Sequence, residues 1–185
     1  MSKLNILIFG DVVGKIARKA LTAKLPDLKS RYKPDLTIAN VENLAHGRGI
    51  TEKSLKDISE AGVDFFTSGH HVFENQKGLP LLDDPDWSER LIRPANVDPA
   101  LPGIGWTHLK IKQMQVSILN LQGQLFMPQE ASSVFLSFDR FWAEQISDSS
   151  NQITIVDIHA ETTSEKNALA HYVDGRADII YGTHT

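Results

Sequence analysis

The chain has no cysteine among its 185 residues. That excludes a disulfide scaffold, a thiolate zinc site and a cysteine nucleophile together, and is neutral on compartment. It also lacks long apolar runs. Ile6-Leu7-Ile8-Phe9, the longest near the start, falls far short of a signal-peptide core or a membrane span. A cytoplasmic protein without a membrane partner is the expectation. There is no basic surplus: 19 Lys+Arg stand against 23 Asp+Glu, for a net charge of −4. A dedicated binder of duplex nucleic acid would show one. Repeats, low-complexity tracts and clear linkers are missing too. What is present is ordinary for a soluble globule, since 41% apolar and 23% charged residues exclude a disordered or fibrous chain. The length suits one domain across residues 1–185, with enough chain to bury a core.

Short apolar runs alternate with helical patterns. Leu4 to Phe9 reads as a buried strand ending at Gly10-Asp11. Ala17, Leu21, Leu25 and Leu28 recur at near-helical spacing between Ile16 and Tyr32, and Pro26 should break or kink that helix. Leu36 to Ala39 is a second strand, running into the polar loop Asn40-Val41-Glu42-Asn43. Thr51 caps a helix through Leu55, Ile58 and Ala61, with Gly62 as its stop. Val63 to Thr67 is a third strand, ending at Gly69-His70-His71. Residues 76–107 hold five of the eight prolines and little periodicity, so a long irregular excursion over the surface is expected. Thr107 to Lys112 and Val116 to Leu121 look like an antiparallel pair. Ser132 to Ile146 is helical, with Phe135, Phe138, Phe141 and Trp142 on one stripe. A strand from Ile153 to Ile158 ends at His159, a helix runs from Thr163 to about Val173, and Asp178 to Tyr181 leads into Gly182-Thr183-His184-Thr185. Stopping at such a turn suggests a fragment, or a chain shortened relative to its relatives.

Strand after strand ends in a residue able to bind metal or move a proton. Asp11 follows the first, Asn40, Glu42 and Asn43 the second, His70 and His71 the third, and His159 and His184 the last two. Open α/β sheets bind ligands at the carboxyl ends of their strands. Parallel strands would therefore gather these residues at one edge. Carboxylate, amide oxygen and imidazole together suit iron, manganese or zinc better than magnesium alone. Glu42 or Asp11 could bridge two cations about 3.5–4 Å apart, the arrangement used to hydrolyse phosphate esters. Each residue alone has a plainer reading. Asp11 serves as well as a helix cap, the Asn40–Asn43 loop as an Asx turn, His159 as a satisfied core histidine and His184 as a frayed end. His46, His108 and His171 lack convergent partners and read as surface or structural. The recurrence at one end of successive strands carries the argument.

Seven segments, in order, resemble the motifs of the YmdB family of calcineurin-like metallophosphoesterases. They are Gly10-Asp11-Val12-Val13-Gly14, Asn40-Val41-Glu42-Asn43, Gly69-His70-His71, Arg93-Pro94-Ala95-Asn96, Asn120-Leu121-Gln122-Gly123, His159 to Lys166, and Gly182-Thr183-His184-Thr185. The resemblance spans the chain and implies an α/β metallophosphoesterase-type sandwich, two central sheets flanked by helices, with its C-terminal part missing. It implies two divalent metal ions and phosphodiesterase activity towards 2′,3′-cyclic nucleotides or related phosphodiesters, by attack of a hydroxide bridging the metals. It further implies a bacterial, cytoplasmic protein that forms homo-oligomers. Asp11 matches a ligand of the first metal and Glu42 the bridging carboxylate. Asn43, His159 and His184 match ligands of the second metal, and His71 matches the histidine that assists catalysis beside them.

Two departures stand out. His70 occupies the place of a ligand asparagine; imidazole can replace an amide oxygen, but it is bulkier. The chain also stops one residue before a further histidine that ligates the first metal in the family. In the expected mechanism His71 stabilises phosphoryl charge or protonates the leaving alkoxide. Arg48 or Arg93 could meet the substrate phosphate, with solvated surface charge as the plainer alternative. The rival from another class is an impaired or inactive relative that binds a nucleotide or a protein through the same edge. A dinucleotide fold is poorer, because Gly10-x-x-x-Gly14 lacks the G-x-G-x-x-G spacing.

Overall fold

Alternation within the strands sorts side chains into three cores, and those cores define the layers. The computed structural model describes residues 3–146 and 151–185. Its elements are β1 (Ile6–Asp11), α1 (Gly14–Tyr32), β2 (Leu36–Asn40), α2 (Glu52–Glu60), β3 (Phe65–Thr67), β4 (Trp106–Ile111), β5 (Met114–Gln122), α3 (Val134–Gln145), β6 (Gln152–Ala160), α4 (Thr163–Val173) and β7 (Ile179–His184). Short 3₁₀ turns cover His70–Phe73 and Leu79–Leu82. The first sheet has the order β1-β2-β3, all parallel, with Ile8 opposite Ile38 and Ile38 opposite Phe65. The second has the order β4-β5-β6-β7, parallel except for the antiparallel β4–β5 pair.

Successive residues of a strand face opposite sides. In the first sheet Leu7, Phe9 and Ala39 pack against Leu21 and Leu25 of α1 and Leu55 and Ile58 of α2. In the second, Leu119, Leu121, Val156 and Ile158 pack against Phe138 and Phe141 of α3 and Leu169 of α4. The other faces meet each other through Leu36, Ile38, Phe65, Val116, Ile118 and Ile155. The result is a mixed α/β sandwich of two central sheets with helices outside both. Towards the carboxyl ends the inner face turns polar: Asn40 follows Ile38, Asn120 follows Ile118, Asp157 and His159 follow Ile155, and Thr183 follows Tyr181. All five polar side chains are buried.

Local signals explain several boundaries. Thr51 accepts from the Ser54 N–H at 3.2 Å while Ser54 Oγ accepts from the Thr51 N–H at 2.9 Å, a capping box that starts α2. Gly62 follows that helix at φ 111°, which favours glycine. Phe138 and Phe141 are buried on the aromatic stripe of α3, with Phe135 and Trp142 packed beside them. Two expectations need correction. Helix α1 runs unbroken through Pro26. A proline there forfeits a backbone hydrogen bond, but Leu21 and Leu25 anchor the preceding turn in the core. Residues 76–107 are no surface excursion either. Leu82, Leu91 and Ile92 are fully buried, and Leu91 bridges Phe66 beside β3, with Phe66 N–H donating to the Arg90 carbonyl at 2.8 Å. That segment closes the sheet edge with too few paired residues to show strand periodicity.

Candidate metal centre

The loops after the parallel strands form one cluster. Val12 N–H donates to the Asn40 carbonyl, Gly14 N–H to that of Asn43, and Val41 N–H to that of Thr67. The turns after β1, β2 and β3 are thereby stitched together. Within the second loop the Asn40 side-chain oxygen accepts from the Glu42 N–H at 3.2 Å, the Asx-turn chemistry that the polar loop suggested.

One donor atom from each of Glu42, His70, His159 and His184 lies within 4.8 Å of the others. Glu42, His70 and His159 are buried. Asn43 joins them, its amide donating to Glu42 Oε1 at 3.1 Å and to Asp11 Oδ1 at 3.2 Å. Asp11 Oδ2 in turn accepts from the His184 N–H at 2.8 Å. His184 holds φ 81°, a conformation that costs a residue with a side chain roughly 1–3 kcal/mol and that clusters at functional sites. His71 lies beside the cluster. Its ring centroid is 3.8 Å from that of His70, its N–H donates to Glu42 Oε2 at 3.0 Å, and its Nδ1 is 2.7 Å from Glu74 Oε1. All seven residues singled out in the sequence therefore converge. Arg93 does not join them, because its guanidinium donates to the carbonyls of Pro94, Leu101 and Pro102. Arg48 pairs instead with Glu74 at 3.4 Å.

The donor atoms fit a cation. His159 Nε2 and His70 Nδ1 are buried without a hydrogen-bond partner among the described residues. His159 Nε2 lies 3.2 Å from Glu42 Oε2, and His70 Nδ1 lies 3.7 Å from the same oxygen. Lone pairs that close together repel unless a positive charge sits among them. Gly69 supplies the room. A Cβ there would lie 2.3 Å from both Glu42 Oε2 and His159 Nε2, so the donors meet where only glycine fits. The protonation states of Glu42 and His70 agree. Burial would raise the Glu42 carboxyl, but the neighbouring His159 and His70 imidazoles and the His71 N–H outweigh it and hold it at about 2. Burial pushes His70 down to about 4 against the pull of Glu42, which leaves a neutral imidazole at neutral pH. His70 therefore offers a ligand-competent nitrogen inside the cluster. Burial opposes charge on His159 too, yet the Glu42 carboxylate raises it.

The chain matches the model of the YmdB-like proteins over residues 7–185. It belongs to that family. It is 40% identical to the 2′,3′-cyclic-nucleotide 2′-phosphodiesterase of Bacillus subtilis (strain 168), over 98% of this chain and 67% of that protein. Crystal structures of similar proteins superpose closely. One is a phosphatase from Mycoplasma pneumoniae, 34% identical with a TM-score of 0.90 over 100% of this chain and 65% of that one. Another is a hypothetical protein from Thermus thermophilus, 38% identical with a TM-score of 0.87 over 97% and 67%. The chain thus spans about two thirds of the length of these relatives.

Asp157 and Thr183 beneath the donors escaped the sequence reading, and Asn40, one of its strand-end candidates, shapes the loop from below. The available signal was strand alternation. Asp157 and His159 share a face with Ile153 and Ile155, and a carboxylate on an otherwise apolar face calls for a buried partner.

Proposed function

We propose that this chain is a metal-dependent phosphodiesterase acting on 2′,3′-cyclic nucleotides or closely related phosphodiesters. The observation that carries this reading is the convergence of Glu42, His70, His159 and His184 donor atoms within 4.8 Å at the carboxyl ends of two sheets. Asp11 and Asn43, tied to that cluster, extend the donor set towards two divalent cations, with iron, manganese or zinc suited to the mixed oxygen and nitrogen donors. Such cations, when held, neutralise charge on phosphoryl oxygens and acidify water. Glu42 would supply a carboxylate to hold them. Glu74 accepts at His71 Nδ1, so a protonated His71 would keep Nε2–H for the departing ribose oxygen or for phosphoryl charge. The Bacillus subtilis relative supports the substrate class by its name. A homo-oligomer in the bacterial cytoplasm belongs to the same proposal.

The test is hydrolysis of 2′,3′-cyclic AMP with added manganese. Turnover should disappear with a chelator and in Asp11→Asn, and His71→Ala should lower kcat by about 10²–10⁴-fold. Turnover indifferent to chelator and to both substitutions overturns the proposal. Manganese binding without any turnover favours the binding module instead.

A further inference from the structure

Below the donor cluster, both sheets send buried polar side chains to a single carboxylate. Asp157 Oδ1 accepts from the Thr183 hydroxyl at 2.8 Å, and Asp157 Oδ2 accepts from the Asn40 amide at 3.4 Å. Thr183 Oγ1 lies 2.9 Å from His159 Nδ1. A hydroxyl has one hydrogen, and here it goes to Asp157, so the Thr183 oxygen must accept from His159 Nδ1–H. That assignment leaves the Nε2 lone pair of neutral His159 for the cluster. On the other arm, the Asn40 amide donates to the Ser68 carbonyl at 3.2 Å and faces both Asp157 Oδ2 and Thr183 Oγ1 at 3.4 Å, and its oxygen holds the Glu42 N–H. Flipping that amide would break its bonds to Ser68, Asp157 and Glu42.

The geometry points to Asp157 as a positioning residue that acts on both halves of the site. Through Thr183 it fixes the tautomer and tilt of His159 on the second sheet. Through Asn40 it fixes the backbone that carries Glu42 on the first. It touches neither cation nor substrate. Partners one bond removed from a ligand commonly govern metal affinity by about 10–100-fold. This inference rests on the proposed metal-binding role of His159 and Glu42.

Two readouts on the full chain test it. Long-range ¹⁵N–¹H spectra of histidine-labelled protein without metal, at about pH 9 where ordinary imidazoles are neutral, should show His159 protonated at Nδ1. In Thr183→Val that preference should weaken, and in Thr183→Ser it should return. In parallel, manganese titration calorimetry should show affinity about 10–100-fold weaker in Thr183→Val and Asp157→Asn, with recovery in Thr183→Ser. Asp157→Asn must turn its NH2 towards either the Asn40 amide or the Thr183 hydroxyl, both of which donate to the parent carboxylate, so it breaks one arm with little change of shape. Should Thr183→Val not fold, the parent spectrum decides alone: a proton on Nε2 overturns the inference. It also falls if the variants melt lower yet bind manganese like the parent, since that marks a purely structural role. A parent chain that binds no manganese defeats the proposed function, while the tautomer spectra still test Asp157.

Discussion

At the scale of single residues, space is as decisive as charge. Gly69 has extended backbone open to any residue, yet a methyl group there would sit 2.3 Å from two donor atoms. Gly69→Ala should fold with a loss of about 1–3 kcal/mol from overpacking. It should also lose manganese uptake, read by metal analysis after dialysis. Uptake equal to the parent would show that the donors do not converge where the structure puts them. The clustering of the candidates was legible because they follow the ends of strands, a position that sequence marks by an apolar run turning polar. The supporting residues were not. A lone Asp157 in the run Ile153 to Ile158 looks like the solvent side of a strand, and only the first sheet packed across from it makes that side an interior.

At the scale of elements, periodic segments declared themselves and irregular ones did not. Helix α3 was visible through its aromatic stripe. Residues 76–107 bury Leu82, Leu91 and Ile92 with no repeating pattern, and their prolines resemble those of exposed loops. The two outer helices of the second sheet are also joined by charge. Asp139 of α3 accepts from Arg176 at 2.7 Å and from the Tyr172 hydroxyl of α4. Tyr172 first and Arg176 second hold the Asp139 carboxyl below its ordinary value of 3.8. A depressed carboxyl stabilises the fold above that value, and the contribution is lost as pH falls through the lower, folded value. Asp139→Asn should therefore lower Tm at neutral pH. The gap to the parent should close as the pH of the melt drops below 3.8. A gap constant down to acid pH would mean that packing, not charge, joins α3 to α4.

At the scale of the whole molecule, the layer between the sheets supports everything above it. Ile38 is fully buried there, whereas Ile16 on α1 is 86% exposed. Ile38→Ala should cost about 2–5 kcal/mol in urea unfolding, against less than about 0.5 kcal/mol for Ile16→Ala. Comparable losses would contradict the layer assignment. The α/β class followed from the order of runs, and the sandwich from the family resemblance. The meeting of two inner faces did not, because alternation tells which residues share a side and not what lies opposite.

Asp11 and His184 touch although 173 residues separate them along the chain. The oxygen-rich half of the pocket therefore leaves the ribosome well before the histidines of the second sheet, and neither half alone offers the full set of donors. Any cation the cluster holds would meet its full set of donors only once both sheets have been made and have closed on each other.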